Sequence, residues 1–201
     1  QLEKYAPQFG IEIAIKETYD RSATDLTAII TKVKARGVDA VVNWSIVDAQ
    51  SIVPKNMRQL GMTETLFQSH GFGNIKYVEV AGAAAEGTIF PAGRLLVAED
   101  LPSSNKQKKL LVDYKTKYEA KFGEAASTFG GHAWDSVMIL AEALKKAGEA
   151  DKYKVRDEIE GLKNFVGTGG IFNFSPEDHN GLDLSAFEVL VVKDGKFVPY
   201  K

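Results

Sequence analysis

Strand-like and helix-like hydrophobic periods alternate over the first half of the chain. Leu2 to Phe9 reads as the tail of a helix closed by Gly10. Ile11-Glu12-Ile13-Ala14-Ile15 then repeats with period two and predicts a strand ending near Tyr19. Ser22 with Asp25 three residues later marks a helix start, and Leu26, Ile29, Ile30 and Val33 recur at helical spacing before Gly37. Val38 to Trp44 is a short apolar run of the kind found in a strand covered on both faces. A helix is predicted from about Asp48 to Leu60, closed by Gly61. Pro54 inside it predicts either a kink or a true start near Ser51, with the proline still in the first turn. Thr65 to Ser69 reads as a third strand, Asn74 to Ala81 as a short helix and Gly87 to Ala92 as a fourth strand. Strands alternating with helices predict a parallel sheet with right-handed crossovers, an α/β fold.

The pattern changes at Leu101-Pro102-Ser103-Ser104-Asn105, a polar, proline-bearing stretch of the kind that joins lobes. Helical periods then follow one another without strands between them. Leu111, Tyr114, Tyr118 and Phe122 form one apolar stripe, ended by Gly123. Ala133, Val137, Leu140 and Leu144 form another, ended by Gly148, and Asp151 to Leu162 predicts a third helix. Val166 to Gly181 is glycine-rich, with one short strand from Gly170 to Phe174. Asp194-Gly195 between the apolar runs Phe187 to Val192 and Phe197-Val198 is a hairpin signal.

Composition narrows the classes. The chain has 201 residues, of which 44% are hydrophobic and 26% charged, which suits one large globular domain or two small lobes. Net charge is −2 with acids and bases interspersed, so no basic stripe points to nucleic acid or anionic lipid. No apolar run approaches the roughly 18 residues of a membrane span. There is no cysteine, which removes disulfides, thiolate metal sites and thiol nucleophiles, and fits an oxidising compartment. The chain opens at Gln1 inside a helix tail and reads as an internal fragment, so the lack of a leader says nothing about location.

Gln68-Ser69-His70-Gly71-Phe72-Gly73-Asn74 sits where a buried apolar run ends and a helix begins. Ligands of open α/β sheets bind outside the carboxyl ends of the strands, so an imidazole there faces a cleft. His70 is either a loop histidine bonded to backbone or a ligand-recognition group. Gly71-Phe72-Gly73-Asn74 and Gly167-Thr168-Gly169-Gly170 lack the third glycine of a dinucleotide fingerprint and the Gly-Lys-Ser/Thr of a phosphate loop. Glu177, Asp178 and His179 lie between Pro176 and Gly181 and read as a solvated turn rather than a metal site. Neither Gly-x-Ser-x-Gly nor His-Glu-x-x-His occurs, and Asp39 stands at a strand start rather than a strand end, unlike a receiver domain's acids. No enzyme, cofactor or metal is expected.

Several ordered stretches together carry a family resemblance: Tyr19 to Leu26, Val38-Asp39-Ala40-Val41-Val42, Ser69 to Asn74, Ala84-Ala85-Glu86-Gly87, Phe129-Gly130-Gly131-His132-Ala133-Trp134-Asp135 and Gly167 to Gly181. They resemble the periplasmic solute-binding proteins of branched-chain-amino-acid-type ABC transporters. The resemblance implies a type I periplasmic-binding (Venus flytrap) fold with three interlobe crossings, present here in part. Residues 1 to about 100 and 186 to 201 would belong to the second lobe, and about 105 to 183 to the mainly helical part of the first. The rest, with a signal peptide, would lie upstream. Alone, the chain would expose apolar helix faces and an unpaired strand edge, and would dimerise, swap elements or associate with the missing half.

The resemblance also implies a function. The chain would be the periplasmic or extracytoplasmic receptor of an ABC importer, closing on a small organic acid or a hydrophobic or branched-chain amino acid and presenting itself to permease subunits. A ligand-sensing regulatory domain of the same fold is the alternative. Candidate ligand-binding residues are His70, Ser45, Ile46, Gly71, Phe72, Gly131 and His132. Trp44 is assigned to the core. The glycines beside His132 either let backbone approach ligand or shape a helix entry. In amino-acid-binding relatives the position of His70 usually carries an acid that pairs with the ligand's α-ammonium. Histidine cannot supply that charge but can donate to a carboxylate, which shifts the expected ligand towards an acid without the amine.

Overall fold

The computed structural model describes residues 1–201. Helix α1 (Leu2–Tyr5) continues as a 3₁₀ turn to Phe9 and stops at Gly10, whose φ of 68° is left-handed. Residues 11 to 20 have no regular secondary structure and form no strand, contrary to the period-two expectation. Alternation decides which face a strand would bury, whereas a strand exists only when a neighbour takes its N–H and C=O groups. Here Ile11 and Ile13 are exposed. The segment is tied to the sheet by the Tyr19 hydroxyl, which donates to Asn43 Oδ1 at 2.9 Å.

Helix α2 (Thr27–Ala35) starts later than Ser22. Asp25 accepts from the Thr27 amide, Ser22 is drawn back to Asp20, and the Leu26 amide donates to the buried Asn56 side chain. Strand β1 (Ala40–Asn43) follows, then a 3₁₀ turn from Asp48 to Ser51 and helix α3 (Ile52–Gln59), so Pro54 lies in the first α-helical turn. Strand β2 (Thr65–Gln68), helix α4 (Ile75–Ala81) and strand β3 (Ile89–Gly93) complete the alternating part. Helices α5 (Lys108–Phe122), α6 (Thr128–Ala147) and α7 (Lys152–Glu160) come next. Strands β4 (Phe165–Val166) and β5 (Ile171–Phe172) pair antiparallel. The chain ends in the hairpin of β6 (Phe187–Lys193) and β7 (Lys196–Pro199), whose turn residues Asp194 and Gly195 have φ of 52° and 69°.

The main sheet runs β1-β2-β3-β6-β7. β1, β2 and β3 are parallel, β6 pairs antiparallel with β3, and β7 pairs antiparallel with β6. Leu26, Ile30, Val53, Met57, Met62 and Leu66 form a core between α2, α3 and the sheet. Phe72, Phe90, Leu190 and Val192 form a second core beneath α4 and the hairpin. β1 is not covered on both faces: Val42 is exposed, and so is Trp44, which had been expected in the core. Helices cover the side bearing Val41 and Asn43, and residues two apart share a face, so Val42 and Trp44 point to the other side. No helix is long and apolar enough to cross a membrane.

In α6 the buried stripe is Gly131, Asp135, Ile139 and Ala143, while Val137, Leu140 and Leu144 are exposed. The helix therefore presents a different face to its neighbours than its most apolar stripe predicted. Close approach explains the choice: a Cβ on Gly131 would lie 2.6 Å from Thr168 Oγ1 and 2.9 Å from Leu95 Cδ2. A glycine there brings the Gly131 side of the helix into contact, and Ile139 then packs with Leu162, Phe172 and Phe174.

Candidate functional site

The His70 corner is assembled by buried amides at the carboxyl ends of β1 and β2. The Asn43 side chain donates to Gln68 Oε1 at 2.6 Å, Gln68 Nε2 donates to the Gln50 carbonyl at 3.0 Å, and Gln50 Nε2 reaches the Gly71 carbonyl at 3.3 Å. Ser69 caps the short turn His70–Phe72: its hydroxyl accepts from the Gly71 amide at 3.2 Å and donates to the Ser45 carbonyl at 2.5 Å. The chain passes so close here that a Cβ on Gly71 would sit 2.6 Å from both Ile46 Cγ2 and Ser45 O. Ser45, Ile46, His70 and Gly71 are thus brought together, with Ser45 half-buried and Ile46 exposed. Phe72 is corrected. Its side chain is fully buried and packs edge-on against Phe90 and against Phe197, so it belongs to the core.

The amino end of α6 docks on the same turn. The Gly73 carbonyl accepts from the Thr128 amide at 3.3 Å and from its hydroxyl at 3.2 Å. One turn further along α6, His132 faces His70 with ring centroids 5.4 Å apart and planes tilted by 59°. Phe187, where β6 begins, meets the His70 ring edge-on, also at 5.4 Å. Gly131 is corrected as well: it lies inside the helix against Thr168 and Leu95, so its lack of a side chain serves protein packing rather than ligand approach.

Behind His132 lies a group that the sequence reading missed. Asp135 is 2% exposed, and its carboxylate accepts from the Thr168 amide at 2.6 Å, the Gly169 amide at 2.7 Å and the Thr168 hydroxyl at 3.0 Å. The other side of this glycine loop is held by Gln107, whose Nε2 donates to the Gly167 carbonyl at 2.8 Å. Gln107 Oε1 accepts from Arg94, and Arg94 Nε also donates to Glu188 at 2.9 Å. The chain of contacts runs from β6 through the segment after β3 into the glycine loop. A lone acid in an apolar helical stripe carries one legible signal, its i+3 spacing from His132. The polar residues around it are separated in sequence by tens of positions.

Burial pushes the His70 imidazole below its ordinary value, and the charge of His132 pushes it further the same way. The Asp135 carboxyl is raised by burial, against its bonds to Thr168 and Gly169 and the attraction of His132. The corner therefore offers a neutral imidazole, a second imidazole with an acid behind it, and an aromatic edge. His179 lies elsewhere, in an exposed turn, with Nε2 3.1 Å from Glu160 Oε1.

The family model described as periplasmic binding protein matches residues 1–196. The chain belongs to the periplasmic binding protein family. Among relatives of this periplasmic binding protein is the leucine-, isoleucine-, valine-, threonine- and alanine-binding protein of Pseudomonas aeruginosa, 24% identical over 188 residues, covering 94% of this chain and 48% of that one. The chain thus spans about half the length of the curated relatives it matches. A solved extracellular ligand-binding receptor from Rhodopseudomonas palustris HaA2 superposes with a TM-score of 0.92 at 29% identity, covering 99% of this chain and 57% of that one. The branched-chain amino acid transporter substrate-binding protein LivJ of Streptococcus pneumoniae, solved with isoleucine, superposes at 0.78 with 26% identity, covering 97% and 53%. The type I periplasmic-binding fold expected from the resemblance is the fold observed, and the chain spans roughly half the length of its solved neighbours.

Proposed function

We propose that this chain is part of the solute receptor of an ABC importer, and that the receptor's ligand is a small organic acid lacking an α-amine. The family and the relatives, which include amino-acid-binding proteins and an extracellular ligand-binding receptor, support a binding role rather than an enzymatic one. The receptor works in the periplasm or another extracytoplasmic space and hands its ligand to membrane permease subunits. Residues 1–100 and 186–201, which hold the five-stranded sheet, form one lobe, and 105–183 contribute to the other. The ligand lies between them, and hinge closure brings the His70 turn and α6 onto it.

The observation that carries the ligand class is the pair of imidazoles facing each other at the strand ends. An ammonium placed between the two rings meets imidazoles rather than a carboxylate and gives up water at a cost of several kcal/mol. A carboxylate instead accepts hydrogen bonds from His70 and His132, with the edge of Phe187 and the side chain of Ile46 against its apolar body. A thermal-shift panel on the whole natural polypeptide tests this. Aromatic and aliphatic carboxylates are expected to raise Tm, whereas leucine and valine are not. Stabilisation by leucine or valine and by none of the acids refutes the ligand class.

A further inference from the structure

The two sides of the His70–His132 corner are joined a second time, through polar side chains. Strands β3 and β6 last pair at Gly93 and Phe187, and beyond that rung the chain leaves the sheet twice, at Arg94 and at the turn Leu184–Ala186. Arg94 stands one residue outside the rung and Glu188 one residue inside it, and their ion pair at 2.9 Å ties the two crossings together. The same guanidinium donates from Nη1 to Gln107 Oε1 at 3.1 Å, and Gln107 Nε2 donates to the Gly167 carbonyl at 2.8 Å. The Gln107 backbone is fixed as well, its amide donating to Asn105 Oδ1 at 2.9 Å. On the far side of the glycine loop, Asp135 of α6 accepts from Thr168 and Gly169. The His132 ring lies against Gly169, where a Cβ would sit 3.0 Å from Nδ1. These contacts close a ring, because Phe187, beside Glu188, meets His70, and His70 faces His132.

Gln107 is 2% exposed, and both ends of its amide are used. A leucine of similar size would fill the same place without the desolvation that a buried amide must recover through hydrogen bonds, so what the amide adds is direction. The Arg94 fork adds the same. One planar group meets Glu188 and Gln107 at once, which the single ammonium of a lysine does not reproduce. We propose that Arg94 and Gln107 are positioning residues that set the angle between the sheet-bearing part of the chain and its helical part, and with it the spacing of His132 from His70. The proposal rests on the ligand site given above and adds residues that tune its affinity from outside it. The glycine loop and α6 move together, because Asp135 bonds the loop to the helix that carries His132. Loosening at Gln107 therefore lets His132 draw away from His70 while Asp135 keeps its bonds. Affinity then falls with the fraction of protein that holds the corner assembled, by the same factor for every ligand taken between the rings.

The test compares the whole natural polypeptide with its Gln107→Leu and Arg94→Lys variants, by small-angle X-ray scattering without ligand and by calorimetry with benzoate and with 4-methylpentanoate. Arg94→Lys keeps the charge beside Glu188 and serves alone should Gln107→Leu fail to fold. Both variants are expected to show a larger ligand-free radius of gyration than the parent. Their Kd is expected to rise by about threefold to tenfold, the worth of one hydrogen bond, and equally for both acids. A purely structural role lowers Tm but leaves the radius and the Kd of the folded protein unchanged, and that result overturns the proposal. Loss of affinity for one acid and not the other also overturns it, since the residue would then be touching ligand. If the parent binds neither acid, the ligand class falls and the scattering alone decides. A larger ligand-free radius then upholds the positioning role, and an unchanged radius overturns it.

Discussion

Gly131, Gly167 and Gly169 are the residues through which the helical part of the chain is drawn onto Asp135 and His132. A Cβ on Gly167 would lie 2.6 Å from Phe172 and 2.8 Å from Asp135 Oδ1, closer than packed atoms approach. Gly131→Ala is accordingly expected to destabilise the fold by about 1–3 kcal/mol, in the range for overpacked cores, which a urea midpoint measures. An unchanged midpoint would mean that the contact with Thr168 and Leu95 relaxes freely. At the corner itself, His70→Ala is expected to weaken carboxylate binding by about tenfold or more, the worth of a hydrogen bond to a charged group. The depressed His70 pKa has its own signature in the empty protein. A base that is harder to protonate in the folded state contributes stability above its unfolded value of 6.5, and that stability is lost as pH falls through the lower folded value. His70→Gln should therefore lose less stability than the parent on acidification from neutral pH, and equal losses would contradict the burial of the imidazole. His70 was legible from its place at a strand end. Its partnership with His132 was not, because the two are brought together by tertiary contacts such as the docking of Gly73 on Thr128.

At the scale of elements, what the sequence encoded locally was readable, and what tertiary contact decides was not. Pro54 implied either a kink or a late start for α3, of which the late start is observed, and Asp194-Gly195 implied the terminal hairpin, because backbone chemistry at those residues is local. The segment Ile11 to Ile15 shows the opposite case, since its period is correct for a strand but no ladder partner reaches it. α6 shows a third, in which two stripes compete and the less apolar one is buried because it carries Gly131. The short β4 also escaped notice, since two residues carry no period. Asp135 anchors the loop between β4 and β5, and Asp135→Ala leaves the Thr168 and Gly169 amides buried without acceptors. A loss on the order of 3 kcal/mol is expected, with proteolysis appearing first in the 167–170 loop. Uniform protection of that loop in the variant would show that Gln107 alone holds it.

For the whole molecule, the apolar surface is the feature to account for. Val137, Leu140 and Leu144 on α6, and Val42, Phe67 and Val189 on one face of the sheet, are exposed, and β1 is an edge strand. Patches of this kind mark surfaces that are covered in a working assembly. Residues 1–201 produced alone are therefore expected to bind a hydrophobic dye and to self-associate, as followed by fluorescence and light scattering, and a monodisperse, dye-silent monomer would contradict this. The central claim concerns the ligand and turns on a single functional group. Leucine and 4-methylpentanoate share one carbon skeleton and one carboxylate and differ by the α-amine. Their dissociation constants for the whole natural polypeptide, measured by calorimetry under identical conditions, test the His70–His132 corner directly. Tighter binding of 4-methylpentanoate than of leucine is the predicted result, and tighter binding of leucine would contradict the account.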